Sequence, residues 1–171
     1  MRRLQTRAVL ACLVMVACLA AYGAAADAST VSEQNAVREA QQYLRTEAFS
    51  LKGLVSQLKY GGFSSSDARY GATHCGANWN SEAVDSAKVY LKTEAFSLKG
   101  LVSQLEYSGF TSSQAAYGVA RSGANWDQQA AKAAREYLKT QAFSATALIG
   151  QLEYSGFTAS QAEYGAKAVG L

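Results

Sequence analysis

His74 and Cys75 are the residues of this 171-residue chain with the richest chemistry, and they stand side by side. A neutral imidazole beside a thiol can ligate a transition metal, or the imidazole can activate the thiol as a nucleophile. Either role needs further groups. The chain has one histidine and three cysteines, and Cys12 and Cys18 both precede residue 19. A metal site would therefore have to be completed by carboxylates, and a Ser-His-Asp set can form once at most. In the next copy of a repeated segment, Arg121-Ser122 replaces His74-Cys75, so the pair reads as an accident of a linker. Its expected side reaction is an intermolecular disulfide in an oxidising compartment. Scattered carboxylates such as Glu47 and Asp67 are those of any solvated helix. No phosphate-cradling glycine loop, paired-cysteine metal motif or cofactor motif is present. The sequence assigns no catalytic, cofactor-binding or metal residues and predicts a protein that is not an enzyme.

The other reactive candidate is Cys18. Met1–Thr6 contains Arg2 and Arg3, Arg7 follows, and Ala8–Tyr22 is uncharged and rich in Ala, Val and Leu. This is the layout of a secretory signal, with an apolar run short of the ~20 residues of a membrane span. Two processing routes fit it. Ala24-Ala25-Ala26 and Ala26-Asp27-Ala28 carry the small-x-small pattern for release of a soluble chain after a signal over residues 1–28. Met15-Val16-Ala17-Cys18 is instead an acylation box that would end the signal before Cys18 and leave a lipid on its sulfur. Both place the protein outside the cytoplasmic membrane, at the cell surface or beyond, with contact to the membrane only through that lipid. Export also changes the charge. The chain has 16 Lys+Arg and 13 Asp+Glu, but Arg2, Arg3 and Arg7 go with the signal, so the residues beyond Cys18 balance to zero. No basic stripe remains to track a phosphate backbone, which excludes most nucleic-acid readers.

Everything after the signal is periodic. YLRTEAFSLKGLVSQLKYGGF from Tyr43 returns as YLKTEAFSLKGLVSQLEYSGF from Tyr90, with three of 21 positions changed. It returns again as YLKTQAFSATALIGQLEYSGF from Tyr137, six positions away from the middle copy. The period is 47 residues both times, without insertion, as expected of a tandem array of one supersecondary unit. An apolar content of 49% is that of a folded chain, and the absence of proline removes any rigid linker. The units are expected to touch and to share a core.

Each unit spells three short helices. Ala83, Ala87, Tyr90 and Leu91 fall on one helical stripe, as do Leu98, Leu101, Val102 and Leu105, and then Ala115, Ala116 and Val119. Each stripe follows an aromatic and a small polar residue: Trp79-Asn80, Phe96-Ser97 and Phe110-Thr111. That order predicts N-caps at Asn80, Ser97 and Thr111, with hydrophobic staples from Trp79 to Val84, Phe96 to Leu101 and Phe110 to Ala115. Thr111 with Gln114, and Thr158 with Gln161, are spaced as capping boxes. Gly62, Gly109 and Gly156 stand where a helix must end in a left-handed residue before a tight turn. The predicted fold is all-α, a tandem array of three short three-helix, helix-turn-helix-like repeats over residues 32–78, 79–125 and 126–171. The first repeat is atypical, with Ser32 in place of Trp79 and Trp126.

Trp126, Ala130, Ala134, Tyr137, Leu138, Phe143, Ser144, Leu148, Gln151, Leu152, Gly156, Phe157, Ala162 and Tyr164 together resemble the Ltp-type repeat of host cell-surface-exposed lipoproteins, and the likeness extends over residues 32–171. The resemblance implies superinfection exclusion: a protein outside the membrane that blocks DNA entry by an incoming phage, through binding a phage protein such as a tail or injection component. Cell-wall or envelope attachment is the alternative, and a DNA-binding helix-turn-helix array conflicts with export and zero charge. Side chains proposed from the pattern as partner-binding are Gln57, Gln104 and Gln151, polar in all three copies beside the Leu58 series. To these are added Glu47, Glu94, Lys52 and Lys99, which lie off the apolar stripe and become Gln141 and Thr146 in the last copy.

Overall fold

The structure, a computed structural model, describes residues 29–171. The predicted signal over 1–28, with Cys12 and Cys18, lies outside the described residues. Nine helices and no strand occur among the described residues. The first repeat holds α1 (Val31–Thr46), α2 (Leu51–Tyr60) and α3 (Ser65–His74); the second, α4 (Trp79–Thr93), α5 (Leu98–Tyr107) and α6 (Ser112–Ala120); the third, α7 (Trp126–Thr140), α8 (Ala145–Tyr154) and α9 (Ala159–Lys167). None is long and apolar enough to cross a membrane.

The caps follow from side chains that satisfy the free amides of a helix start. Ser97 accepts from the Gly100 amide, and Ser50 and Ser144 do the same in their repeats. Both expected capping boxes form, Thr111 with Gln114 and Thr158 with Gln161. At the other end of α5, the Phe110 amide donates to the Leu105 carbonyl and the Gly109 amide to that of Glu106, a Schellman turn with Gly109 at φ +92°. The first helix of the second and third units starts earlier than predicted. Its cap is Asn78 or Asn125, not the residue after the tryptophan: Asn78 Oδ1 accepts from the Asn80 and Ser81 amides at 3.1 and 3.2 Å. Trp79 is thus the first helical residue and cannot serve as the staple to Val84.

Within a repeat, the third helix lies along both the first and the second. The first and third approach so closely that a Cβ on Gly118 would sit 2.6 Å from the Ala83 carbonyl oxygen, and one on Gly165 would sit 2.9 Å from that of Ala130. The third helix therefore closes the unit. Instead of the shared core expected from the sequence, there are three separate cores. In the second repeat Ala83, Ala87, Leu101, Leu105, Phe110, Ala115 and Val119 form one buried cluster, with counterparts on either side. No helix packs along its length against a helix of another repeat. The tryptophans supply much of the apolar contact across the joints: Trp79 packs on the core of the first repeat and Trp126 on that of the second. Ser32, at the equivalent position of the first repeat, instead donates from its hydroxyl to Asp67 at 2.7 Å.

Candidate interaction site

The polar side chains repeated in the sequence converge at the joints between repeats. Ser50 Oγ takes the Gly53 amide at 2.9 Å and donates its own proton to the Ser108 carbonyl of the next repeat at 2.6 Å. Ser97 repeats this with Gly100 at 3.0 Å and Ser155 at 2.7 Å. One hydroxyl thus caps a helix and latches two units, and both serines are only 2% exposed. Ser144, in the third repeat, makes no such latch and is exposed. The latch shapes the turn it grips: a Cβ on Gly109 or Gly156 would come within 2.8 Å of the latching Oγ. The same turn is braced from its own repeat, because Tyr90 Oη meets Ser108 Oγ at 2.7 Å and Tyr137 Oη meets Ser155 Oγ at 2.6 Å.

A second contact crosses each joint. The Phe49 amide donates to a Glu82 carboxylate oxygen at 3.3 Å, and the Phe96 amide to Gln129 Oε1 at 3.3 Å. Glu82 titrates above the usual carboxylate range, chiefly because burial disfavours its charge; the Phe49 hydrogen bond works against the rise and nearby Asp85 adds to it. The second joint also has a lysine. Lys132 Nζ donates to the Leu91, Lys92 and Glu94 carbonyls at 3.2, 3.1 and 3.0 Å, which places a cation on the C-terminal end of α4. Beside it lies an open cleft of about 320 Å³ lined by Thr93, Glu94, Ala95, Lys132, Ala133, Glu136 and Tyr137. All three Lys132 protons are already directed at carbonyls, so the cleft offers little to an anion.

The residues singled out from the sequence separate by depth. Gln57, Gln104 and Gln151 are half-buried, and Gln151 donates to Tyr137 Oη at 3.4 Å within its own repeat. Glu47, Glu94, Lys52 and Lys99 are exposed on the surface. His74 and Cys75 do not converge. The thiol is buried in the first core, its Sγ donating to the Ala72 carbonyl at 3.2 Å, while the imidazole stacks on Tyr70 with ring centroids 3.9 Å apart. Cys75 is a core residue and not a linker thiol open to another chain. No group of three or more potential metal ligands occurs among the described residues. The sequence reading missed the serine latch and Lys132. A serine before a helix signals only a cap, and Lys132, which replaces Asp85 of the second copy and Arg38 of the first, has no repeated pattern to draw attention to it.

Closed three-helix units joined in series, latched by hydrogen bonds at the joints and, among the described residues, without a cluster of metal-ligating groups, define a helical repeat protein. The chain belongs to the family described as host cell surface-exposed lipoprotein (Lipoprotein_Ltp), which it matches over residues 32–75, 78–121 and 125–169. Among solved structures it is similar to that of Ltp, a superinfection exclusion protein from the Streptococcus thermophilus temperate phage TP-J34. Identity is 31% and the TM-score 0.52, over 54% of this chain and 96% of that one, a share close to two of the three repeats. A comparison with curated protein sequences finds no match.

Proposed function

We propose that this is an exported, surface-exposed binding protein of the superinfection-exclusion type, which prevents entry of phage DNA by binding a phage protein. The observation that carries this reading is the likeness, in sequence and in fold, to a protein described as a superinfection exclusion protein. The architecture agrees with it: three copies of one surface favour avidity, in which weak contacts reinforce one another through a high effective concentration. The action is binding without a catalytic step, cofactor or metal. The signal over residues 1–28, or acylation at Cys18, would deliver the repeats 32–78, 79–125 and 126–171 to the outer face of the membrane. Of the side chains proposed as partner-binding, the exposed Glu47, Glu94, Lys52 and Lys99 are accessible as they stand, Gln57 and Gln104 are half-buried, and Gln151 would act by holding the joint-bracing Tyr137.

The test is infection of intact cells expressing the full-length chain, with phage adsorption and phage DNA entry scored separately against cells carrying an empty vector. Normal adsorption with blocked entry is the expected result. Normal entry across a broad phage panel, with retention of the protein on purified cell walls, would replace exclusion by an envelope-attachment role.

A further inference from the structure

Each repeat carries two tyrosines in its first two helices, and they are used in opposite ways. Tyr43, Tyr90 and Tyr137 pack on the cores, each edge-to-face with a phenylalanine at about 6 Å. Tyr60, Tyr107 and Tyr154 are the last residues of α2, α5 and α8, and they are 90%, 89% and 89% exposed. No hydrogen bond or ring contact holds any of the three. A large aromatic side chain left in water at the same point of every repeat contributes little to folding.

Comparison of α5 with α8 shows that solvent exposure alone does not keep a residue in place along this helix. Exposed Leu98, Lys99 and Ser103 become Ala145, Thr146 and Gly150. Ser155, Gly156 and Phe157, which follow Tyr154, have structural reasons to stay: the first two form the latched turn and Phe157 is buried. Tyr154 has none, yet it remains tyrosine, as Glu153 remains glutamate. The neighbouring charge is not uniform, because the first repeat has Lys59 where the others have Glu106 and Glu153.

We propose that Tyr60, Tyr107 and Tyr154 are the points through which the repeats grip a protein partner. Each ring enters an apolar pocket on that partner, with a rim that is basic opposite Glu106 and Glu153 and acidic opposite Lys59. The inference rests on the exclusion reading and names its contact surface. Tyrosine suits the role, since it supplies a rigid, amphipathic contact area at small entropic cost and is enriched among the residues that dominate protein interfaces. The shape of the site selects a protein over a glycan. Each tyrosine is the last residue of its helix, just before a tight turn, and is about nine-tenths exposed, so the partner must enclose the ring, whereas a sugar chain stacks on rings that floor a platform with polar neighbours. Three such contacts on one chain multiply through effective concentration.

The experiment uses full-length protein on intact cells and a phage that the unaltered protein excludes, with internalised phage genomes counted after surface particles are stripped. Exposed positions tolerate substitution, so Y60A/Y107A/Y154A is expected to keep wild-type helicity and surface display. It should raise DNA entry by about 100-fold or more, and each single alanine variant by about 10-fold or less. Replacing all three by phenylalanine should preserve exclusion, because the ring carries the contact. E106K/E153K should raise entry by about 10-fold through the mismatched rim. Exclusion by the triple alanine variant within twofold of wild type would overturn the proposal, and so would a triple phenylalanine variant as inactive as the alanine one. An unchanged E106K/E153K would overturn the charged rim. Failure of the unaltered protein to exclude any phage would be a different result, removing the exclusion reading itself and this inference with it.

Discussion

The serine latch makes a quantitative prediction with its own internal control. Replacing Ser97 by alanine removes two interactions: the cap to the Gly100 amide and the hydrogen bond to the Ser155 carbonyl. A lost serine cap costs about 1 kcal/mol, and a lost hydrogen bond in a shielded site about 1 kcal/mol more. S97A should therefore destabilise by about 2 kcal/mol. Ser144 occupies the same position in the last repeat, but it is exposed and has only its cap, to the Ala147 amide at a longer 3.3 Å. S144A should cost about 1 kcal/mol or less. The difference of about 1 kcal/mol is the worth of one joint, and S50A should match S97A. Urea titration followed by circular dichroism reads these values, and a thermal scan should separate S97A from S144A by about 3 °C for a domain of this size. Because each repeat has its own core, amide exchange should also place the added opening of S97A at the joint of the second and third repeats. Equal losses for S97A and S144A would refute the latch and leave both serines as simple caps.

Three further outcomes follow from the joints. G62A should cost about 1 to 2 kcal/mol, because Gly62 has φ +95° with open space around it, whereas G109A should cost more, since its Cβ would also meet Ser50 Oγ at 2.8 Å; equilibrium denaturation of the two compares them directly. W126A should destabilise by about 1 to 2 kcal/mol, the worth of a partly buried apolar side chain, and its effect on amide exchange should appear in the second repeat, on whose core the indole packs, and not only in the third that contains it. Glu82, whose folded pKa is raised above its unfolded value, binds its proton more readily in the native state, so stability should fall as pH rises through the interval from the ordinary carboxylate value to the raised one. E82Q, which copies Gln129 of the next joint, keeps the acceptor for the Phe49 amide and should abolish that slope; an unchanged slope in the variant would assign the dependence to another group.

Much of this protein was legible in one dimension because its signals are local. A helix cap involves residues three apart, an apolar stripe spans two turns and a Schellman glycine is fixed by its own φ, so Ser97, the Thr111–Gln114 box and Gly109 could be assigned from spacing alone. The fixed 47-residue period gave the repeat count, and the apolar stripes within each unit gave the all-helical class. The error at Trp79 arose where two local readings competed. An asparagine stands on each side of the indole, and only the path of the chain selects Asn78 as the cap.

The relation of one repeat to the next belongs to tertiary structure. Ser50 and Ser108 are 58 residues apart, and no local pattern tells a serine that caps from one that both caps and latches. Whether three amphipathic units merge into one core or close separately depends on how near the first and third helices come, which is set by Gly118 facing the Ala83 backbone. The same distinction separates the two tyrosine series of the first and second helices. Tyr90 and Tyr107 are both aromatic, both repeated and both helical, and only packing buries the first against Phe96 and leaves the second in water. Sequence periodicity records which residues are repeated; the folded surface decides which of them are left for a partner, because exposure is a property of what surrounds a side chain and not of the side chain itself.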